Sequence, residues 1–215
     1  IPRGTDLFHD IKRNFNCPIN EIWDIGAHKG ETTIYFRSQN KKARLRSFEP
    51  VSGNFEFLKE NCSFMQNQFS YKLALGNECK NMKIQLQEGS VNHSLRDDLN
   101  KPSHLKPSME LVKQVTIDYL YNKFQCKSID ILKIDVEGYE IQVLEGAQNC
   151  LKNNLIQFIY LETGLDNRFN SIESTIAILE PLGYHLYAIY EQTPHWTGRQ
   201  NLWYWNSLFV KNELL

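Results

Sequence analysis

Three charged side chains alternate with apolar ones in the segment "ILKIDVEG" at residues 131–138. In a β-strand, Lys133, Asp135 and Glu137 share one face because successive side chains point to opposite sides. Such a face is costly to bury in an apolar strand unless its charges pair. Two interpretations follow. Asp135 and Glu137 act on a bound substrate, with Glu137 taking a proton from a hydroxyl, or Lys133 and the carboxylates form a structural network that braces the strand end.

A further carboxylate, Glu162, lies near the end of the apolar segment "LIQFIYLETG" (155–164). We expect it to complete an acidic pocket with Asp135 and Glu137. Alternatively, these three carboxylates hold a divalent cation that acidifies the hydroxyl. The six histidines are dispersed and show no metal-ligand spacing, so no metal site is predicted.

The stretch "DIGAHKGETT" (24–33) has the order of a strand end, a glycine turn and a helix start. A dinucleotide fingerprint, G-x-G-x-x-G, would place His28 and Glu31 at its second and third glycines, and the Glu31 carboxylate would repel a pyrophosphate. The pattern acid-x-G-x-G-x-G, typical of turns that bind S-adenosylmethionine, instead aligns with Asp24, Gly26, His28 and Gly30. Histidine tolerates a positive φ better than most residues. The alternative is a turn without a ligand.

An acidic residue also ends the second predicted strand. Glu49, in "SFEP", follows Asp24 by 25 positions and is well placed to accept hydrogen bonds from both hydroxyls of a ribose. Folds that bind NAD share this acid, so Glu49 indicates an adenosine ligand without selecting the cofactor. The alternative is a solvated residue before a proline.

Short apolar segments alternate with amphipathic ones along the chain, which predicts an α/β fold with a doubly wound, mostly parallel sheet. Strands are expected at 21–27, 43–50, 69–77, 82–87, 128–136, 155–164, 184–192 and 206–212. Helices are expected at 7–15, 31–39, 54–62, from 139, and from a capping box at Asn170 and Glu173. Such sheets bind ligands beyond the carboxyl ends of their strands.

Two pairings and one loop complete the expected single domain, residues 1–215, which opens with a helical extension at 1–20. The strands at 69–77 and 82–87 are expected to form an antiparallel pair, and the last two strands a hairpin. Trp203 and Trp205 either pack between those last strands or form an aromatic wall for a sugar. Residues 89–114 are polar and show no steady period, so we expect a long irregular loop, with a role as a lid.

Bulk properties exclude several classes of protein. A net charge of -1 gives no global attraction to nucleic acid or to anionic membranes. Five cysteines without CxxC spacing argue against a disulfide framework or a zinc site. No apolar segment approaches the roughly 18 residues that span a bilayer, so we expect a soluble cytoplasmic protein.

Taken together, these motifs resemble the FkbM-type S-adenosylmethionine-dependent methyltransferases. The matching segments, in chain order, are "DIGAHKGETT", "SFEP", "LALGN", "VTIDYL", "ILKIDVEGYEIQVLEGA" and "IYLETG". The resemblance implies a class I methyltransferase fold, with a seven-stranded sheet whose last strand is antiparallel. It also implies S-adenosylmethionine as cofactor and methylation of a hydroxyl on a sugar or a small natural product. His28 departs from the asparagine of the family pattern.

The resemblance also assigns site residues. Gly26, His28 and Gly30 would surround the methionine end of the cofactor, and Glu49 would bind its ribose. Ala74 and Leu75 would flank the adenine, and Ser94 would be a loop serine near the cofactor. The full cofactor set is Asp24, Gly26, Ala27, His28, Gly30, Thr32, Glu49, Ala74, Leu75, Ser94 and Asp135. The catalytic set is Asp135, Glu137, Lys133 and Glu162.

Two other functions remain open from the sequence. An NAD(P)-dependent oxidoreductase shares the fold, but Glu31 opposes it, and the Tyr-x-x-x-Lys pair of Tyr119 and Lys123 precedes the central strand. A cofactor-binding module without catalysis is the other alternative, and the presence of Asp135 and Glu137 argues against it.

Overall fold

The computed structural model describes residues 2–86, 108–165, 170–194 and 202–215, which contain two β-sheets. Their strands are β1 (Glu21–Ile25), β2 (Arg44–Phe48), β3 (Gln68–Tyr71), β4 (Ala74–Leu75), β5 (Lys80–Leu86), β6 (Ser108–Val115), β7 (Ile129–Ile134), β8 (Ile156–Gly164), β9 (Tyr184–Pro194) and β10 (Leu202–Lys211). The helices are α1 (Leu7–Asn14), α2 (Glu31–Gln39), α3 (Ser52–Cys62), α4 (Ile117–Lys123), α5 (Glu140–Glu145), α6 (Gln148–Lys152) and α7 (Ile172–Leu179), and short 3₁₀ turns lie at Glu180–Leu182 and Asn212–Leu214.

The larger sheet has seven strands in the order β3-β2-β1-β7-β8-β10-β9. The first five strands of this order run parallel, and β10 lies antiparallel between β8 and β9. All residues of β1 and β7 are buried, as expected for central strands that helices cover on both faces. The predicted fold class, including the antiparallel last strand and the terminal hairpin, is confirmed.

Each face of this sheet carries its own apolar core. Trp23, Leu132 and Ile159 belong to one cluster, to which α4 to α7 contribute. The opposite face packs against α1 through Leu7, Phe8 and Ile11. The predicted opening helix is therefore part of the core, and its N-terminus is held at the carboxyl edge of the sheet, where Asp6 caps it by accepting from the backbone N of His9.

The expected antiparallel pair of 69–77 and 82–87 is wrong. Residues 69–77 divide into β3, which joins the larger sheet beside β2, and β4, which joins a three-stranded sheet in the order β4-β6-β5. The antiparallel partner of β5 is β6, which occupies the end of the segment expected to be an irregular loop. Few side chains of β6 are buried, which explains why its apolar period is weak. Residues 89–107, including Ser94, lie outside the described part of the chain.

Two local features complete the helical layer. The expected capping box at Asn170 is displaced by one residue: Ser171 has extended backbone and accepts from the backbone N of Ser174, whereas the buried Asn170 side chain donates to Thr175. Among the described residues, no helix is both long and apolar enough to cross a membrane.

Candidate functional site

The glycine turn between β1 and α2 needs three residues in the left-handed region. The φ angles are +76° at Gly26, +50° at His28 and +97° at Gly30. A Cβ on Gly26 would lie 1.7 Å from the carbonyl oxygen of Asp135, so only glycine fits there. The positive φ considered for His28 is present, and histidine is among the residues that tolerate it.

Asp24 anchors this turn from behind. Its side chain is buried; Oδ2 accepts from Thr33 Oγ1 at 2.6 Å, and Oδ1 lies 3.2 Å from Lys133 Nζ. Asp24 is not among the residues that line the cavity in front of the turn. Its predicted role as a direct cofactor ligand is therefore replaced by one in positioning Lys133 and the turn.

That cavity, of about 250 Å³, is termed the glycine-turn cavity. Part of its lining is apolar, with Phe48, Val51, Leu75 and Ile84, and part is polar, with Glu49, Lys133 and Asp135. The predicted residues that line it are Gly26, Ala27, His28, Thr32, Glu49, Ala74, Leu75, Lys133, Asp135 and Glu137. Residues from four strand ends, far apart in sequence, are thus brought together as predicted.

Glu49 lines the glycine-turn cavity. Its oxygens accept from the backbone N of Val51 at 2.9 Å and of His28 at 3.0 Å. Burial raises the pKa of this carboxyl to about 7, although both backbone hydrogen bonds oppose the shift. Glu49 is thus a buried acceptor that joins the glycine turn to the end of β2, and not a solvated residue before a proline.

Lys133 links the polar residues of the lining, and its side chain is 5% exposed. Its Nζ lies 3.2 Å from Asp24 Oδ1, 3.4 Å from Asp135 Oδ2 and 3.2 Å from the carbonyl oxygen of Gly26. Burial by itself lowers the pKa of Lys133, but the two carboxylates outweigh burial and raise it. The structural network considered from the sequence therefore exists, and Asp135 also faces the cavity.

Glu137 reaches the cavity in another way than expected. Strand β7 ends at Ile134, and Glu137 has a φ of +55° followed by Gly138 at +91°, so a turn rather than strand alternation sets its direction. Burial and the nearby Asp135 raise the pKa of Glu137 to about 7. Burial, Asp135 and Glu137 raise the pKa of Glu162 to about 8. No group of three metal-binding side chains occurs in the described parts of the chain.

A carboxylate that the sequence analysis missed supports this turn. Glu140, at the first position of α5, is buried, and its Oε1 accepts from the backbone N of Val136 at 3.1 Å and of Gly138 at 3.0 Å. Acidic residues at helix N-termini are favoured for this reason, so the spacing in "DVEGYE" was an available signal. Burial raises the pKa of Glu140.

A second cavity, of about 270 Å³, adjoins the first and is termed the N-terminal cavity. The residues that line both cavities are Glu31, Thr32, Lys133 and Asp135. The remaining walls come from the N-terminal segment, α2, β8, β9 and β10, through Thr5, Asp6, Leu7, Tyr35, Phe36, Tyr160, Tyr190, Glu191 and Asn206. These residues share no local sequence pattern, because only the packing of the N-terminal segment and α2 against the sheet brings them together. Trp205 is buried and donates to Ser207 at 2.9 Å, so packing explains it.

The sequence matches the family model described as "Methyltransferase FkbM domain" over residues 24–186. The chain belongs to this family. Membership confirms the resemblance predicted from the sequence. It supports S-adenosylmethionine as the cofactor and goes against the oxidoreductase alternative.

The chain is distantly similar to several proteins. The chain is 25% identical over 154 residues to the hexuronic acid methyltransferase AglP of Haloferax volcanii, a match covering 67% of this chain and 57% of that protein. Methyltransferase FkbM from Methylobacillus flagellatus KT superposes with a TM-score of 0.57 at 14% identity, covering 89% of this chain and 43% of that one. M. capricolum TrmK, solved with S-adenosyl-homocysteine, has a TM-score of 0.51 at 14% identity, covering 95% and 67%. The chain thus spans about half the length of its family relatives.

Proposed function

We propose that the protein transfers a methyl group from S-adenosylmethionine to a hydroxyl of a saccharide. The observation that carries the proposal is that Asp135 and Lys133 line both cavities. A cofactor in one cavity and an acceptor in the other would therefore meet at a carboxylate. The relative from Haloferax volcanii is named for methylation of a hexuronic acid, which supports a sugar acceptor.

The residues of the glycine-turn cavity fit this cofactor. S-adenosylmethionine supplies a methyl group on a sulfonium cation and carries no phosphate. The apolar part of the lining, which includes Ala74 and Leu75, suits an adenine. Glu49 offers carboxylate oxygens to the ribose hydroxyls. The lining contains one cation, Lys133, which the two carboxylates already engage. Such a cavity suits a cation better than a pyrophosphate.

We assign the chemistry to the carboxylates. Asp135 stabilises positive charge at the junction of the cavities, and Glu137 removes the proton of the acceptor hydroxyl. A base with a pKa near the working pH is the most effective, and burial places Glu137 in that range. The like charge of Asp135 raises the basicity of Glu137 further, and Lys133 pairs with Asp135, its Nζ lying 3.4 Å from Asp135 Oδ2. Positioning of the acceptor hydroxyl against the methyl group supplies the remaining rate acceleration.

Two measurements test this function. Calorimetric titration with S-adenosylhomocysteine and, separately, with NAD checks the cofactor, and only the former is expected to bind. Incubation with labelled S-adenosylmethionine and saccharides then checks transfer. An O-methyl ether survives alkaline hydrolysis whereas a methyl ester does not, so treatment with alkali shows whether a hydroxyl or a carboxyl group was methylated. Binding without transfer to any hydroxyl acceptor would indicate a non-catalytic module.

A further inference from the structure

The N-terminal cavity lies beside the proposed cofactor site, and most polar atoms of its lining are hydrogen-bond acceptors. We propose, on the basis of the proposed function, that this cavity binds the acceptor as a sugar ring without a carboxylate, so that neutral or amino sugars are methylated and uronic acids are rejected. The proposal separates this protein from its relative that is named for a hexuronic acid.

Three tyrosine hydroxyls that line the cavity already donate hydrogen bonds to carboxylates of the protein. Tyr35 donates to Asp6 Oδ2 at 2.9 Å, and Tyr190 donates to Asp10 Oδ2 at 2.8 Å. Tyr160 is hydrogen-bonded to Glu191. With its hydrogen engaged, each phenol oxygen can only accept from a ligand.

One of the two N–H groups of Asn206 is engaged as well, because its Nδ2 donates to Glu191 Oε2. Lys133 has three acceptors within 3.4 Å of its Nζ: Asp24, Asp135 and the carbonyl oxygen of Gly26. Apart from the hydroxyls of Thr5 and Thr32 and the second N–H of Asn206, the polar side chains of the described walls therefore present hydrogen-bond acceptors. Hydroxyl and ammonium groups donate to such atoms, whereas a carboxylate ligand has no hydrogen to offer.

The charges of the cavity lining also disfavour a uronic acid. The cavity lining contains four carboxylates, Asp6, Glu31, Asp135 and Glu191, and one cation, Lys133. That cation is paired with carboxylates of the protein. A uronate would thus enter a cavity whose lining is negatively charged and whose one lining cation is already paired, which opposes its binding.

The test uses matched sugars that differ only at one substituent. Methyl glycosides of glucose, glucuronic acid and glucosamine, with the corresponding galacto and manno series, are offered with labelled S-adenosylmethionine. We expect kcat/KM to be at least tenfold higher for the neutral or amino sugar than for the uronic acid of the same series. Equal or preferred use of the uronic acid would overturn the proposal.

The two hypotheses fail in distinguishable ways. Methyl transfer that favours the uronic acids overturns this inference and leaves the proposed function intact. Binding of S-adenosylhomocysteine without transfer to any of these sugars overturns the saccharide acceptor of the proposed function and leaves its cofactor intact. Absence of S-adenosylhomocysteine binding overturns the proposed function as a whole.

Substitutions locate the acceptor. Thr5 is exposed at the N-terminal cavity, and Thr5→Trp is expected to raise the acceptor KM at least tenfold without changing the KM for S-adenosylmethionine. Lys41→Trp places the same indole in the exposed turn before β2, at the opposite edge of the sheet, and serves as control. An unchanged acceptor KM in Thr5→Trp would rule out this cavity.

A charge variant tests the reason for the selectivity. Glu191→Gln is expected to reduce the preference for the neutral sugar over the uronic acid at least threefold. Glu60→Gln, an equivalent change at an exposed position of α3, is expected to leave that preference unchanged. If both variants keep the wild-type preference, electrostatic rejection is wrong.

Discussion

Lys133 Nζ lies 3.2 Å from Asp24 Oδ1, and the two residues are direct neighbours across the parallel strands β7 and β1. Their side chains are 5% and 2% exposed. Because Thr33 donates to the other oxygen of Asp24 and Lys133 also contacts the glycine turn, this ion pair joins the central strand, α2 and the turn. The pair is therefore a structural requirement of the site as well as part of its electrostatics.

Removal of the lysine charge should destabilise the whole fold. Lys133→Met leaves Asp24 buried without its counter-charge, and breaking a buried pair in this way costs about 3–5 kcal/mol. Urea unfolding measures the change. Asp24→Asn combined with Lys133→Met should recover part of the lost stability, because no uncompensated charge remains. A loss below about 1 kcal/mol in the single variant would show that water reaches Asp24.

Gly26 should not tolerate even a methyl group. In Gly26→Ala the new Cβ would meet the carbonyl oxygen of Asp135, and a φ of +76° is strained for any side chain. We expect a decrease of at least about 2 kcal/mol in the free energy of unfolding and weaker binding of S-adenosylhomocysteine. Gly53→Ala is the control, since Gly53 lies in α3 with open space around it and should gain roughly 0.5–1 kcal/mol. Equal effects of the two changes would contradict the geometry of the turn.

Glu137 is expected to affect turnover and not cofactor affinity. Glu137→Gln keeps the shape of the side chain and removes the base, so single-turnover methyl transfer should slow by about 10²–10⁴-fold. Calorimetry with S-adenosylhomocysteine should give an affinity close to that of the wild type. Glu145→Gln, an exposed change on α5, is the matched control and should retain full activity. Wild-type turnover in Glu137→Gln would transfer the role of base to another group.

Stability should decrease as the pH rises from mildly acidic to neutral. Burial raises the pKa of Glu49 and Glu137 to about 7 and that of Glu162 to about 8, above the ordinary glutamate value of 4.5. Between these limits the folded state binds more protons than the unfolded state, so the free energy of unfolding decreases with pH. The stabilising contribution is complete below about pH 4.5 and is lost as the pH passes 7 to 8.

Urea midpoints measured across this range test the linkage. Because a glutamine at position 162 does not titrate, Glu162→Gln should reduce the decrease at the upper end of the range. Glu173→Gln, an exposed change in the first turn of α7, should leave the profile as it is. A stability that increases steadily from pH 5 to 8 would show that these carboxyls are ionised in the folded protein.

Local sequence signals were sufficient for the parts of the site that strands and turns determine directly. The left-handed turn at Gly26, His28 and Gly30 follows from residue types at fixed spacing, and Glu49 follows from its place at the end of a strand. The buried runs of β1 and β7 identified the centre of the sheet, and parallel strands bring their carboxyl ends to one edge. For these reasons the glycine-turn cavity was predictable from residues as far apart in the sequence as Gly26 and Asp135.

Other features needed the tertiary structure. The partner of β5 is β6, whose exposed surface gives almost no periodic signal, so its pairing was not evident from the sequence. Glu137 acquired its direction from a turn that Glu140 holds through two backbone N–H groups, against the expectation from strand alternation. The raised pKa values of Glu137 and Glu162 depend on burial together with neighbouring carboxylates, and sequence spacing does not state either distance.

The sequence by itself determined the family, the fold class and the cofactor turn, because short-range spacing sets backbone conformation and binding residues there. The tertiary structure alone decided that Asp6 of the N-terminal segment and Glu191 of β9 share a cavity with Asp135. These residues have no common local pattern. They meet because α1 packs on one face of the sheet and β10 inserts between β8 and β9, and long-range packing of this kind is not encoded at any single position.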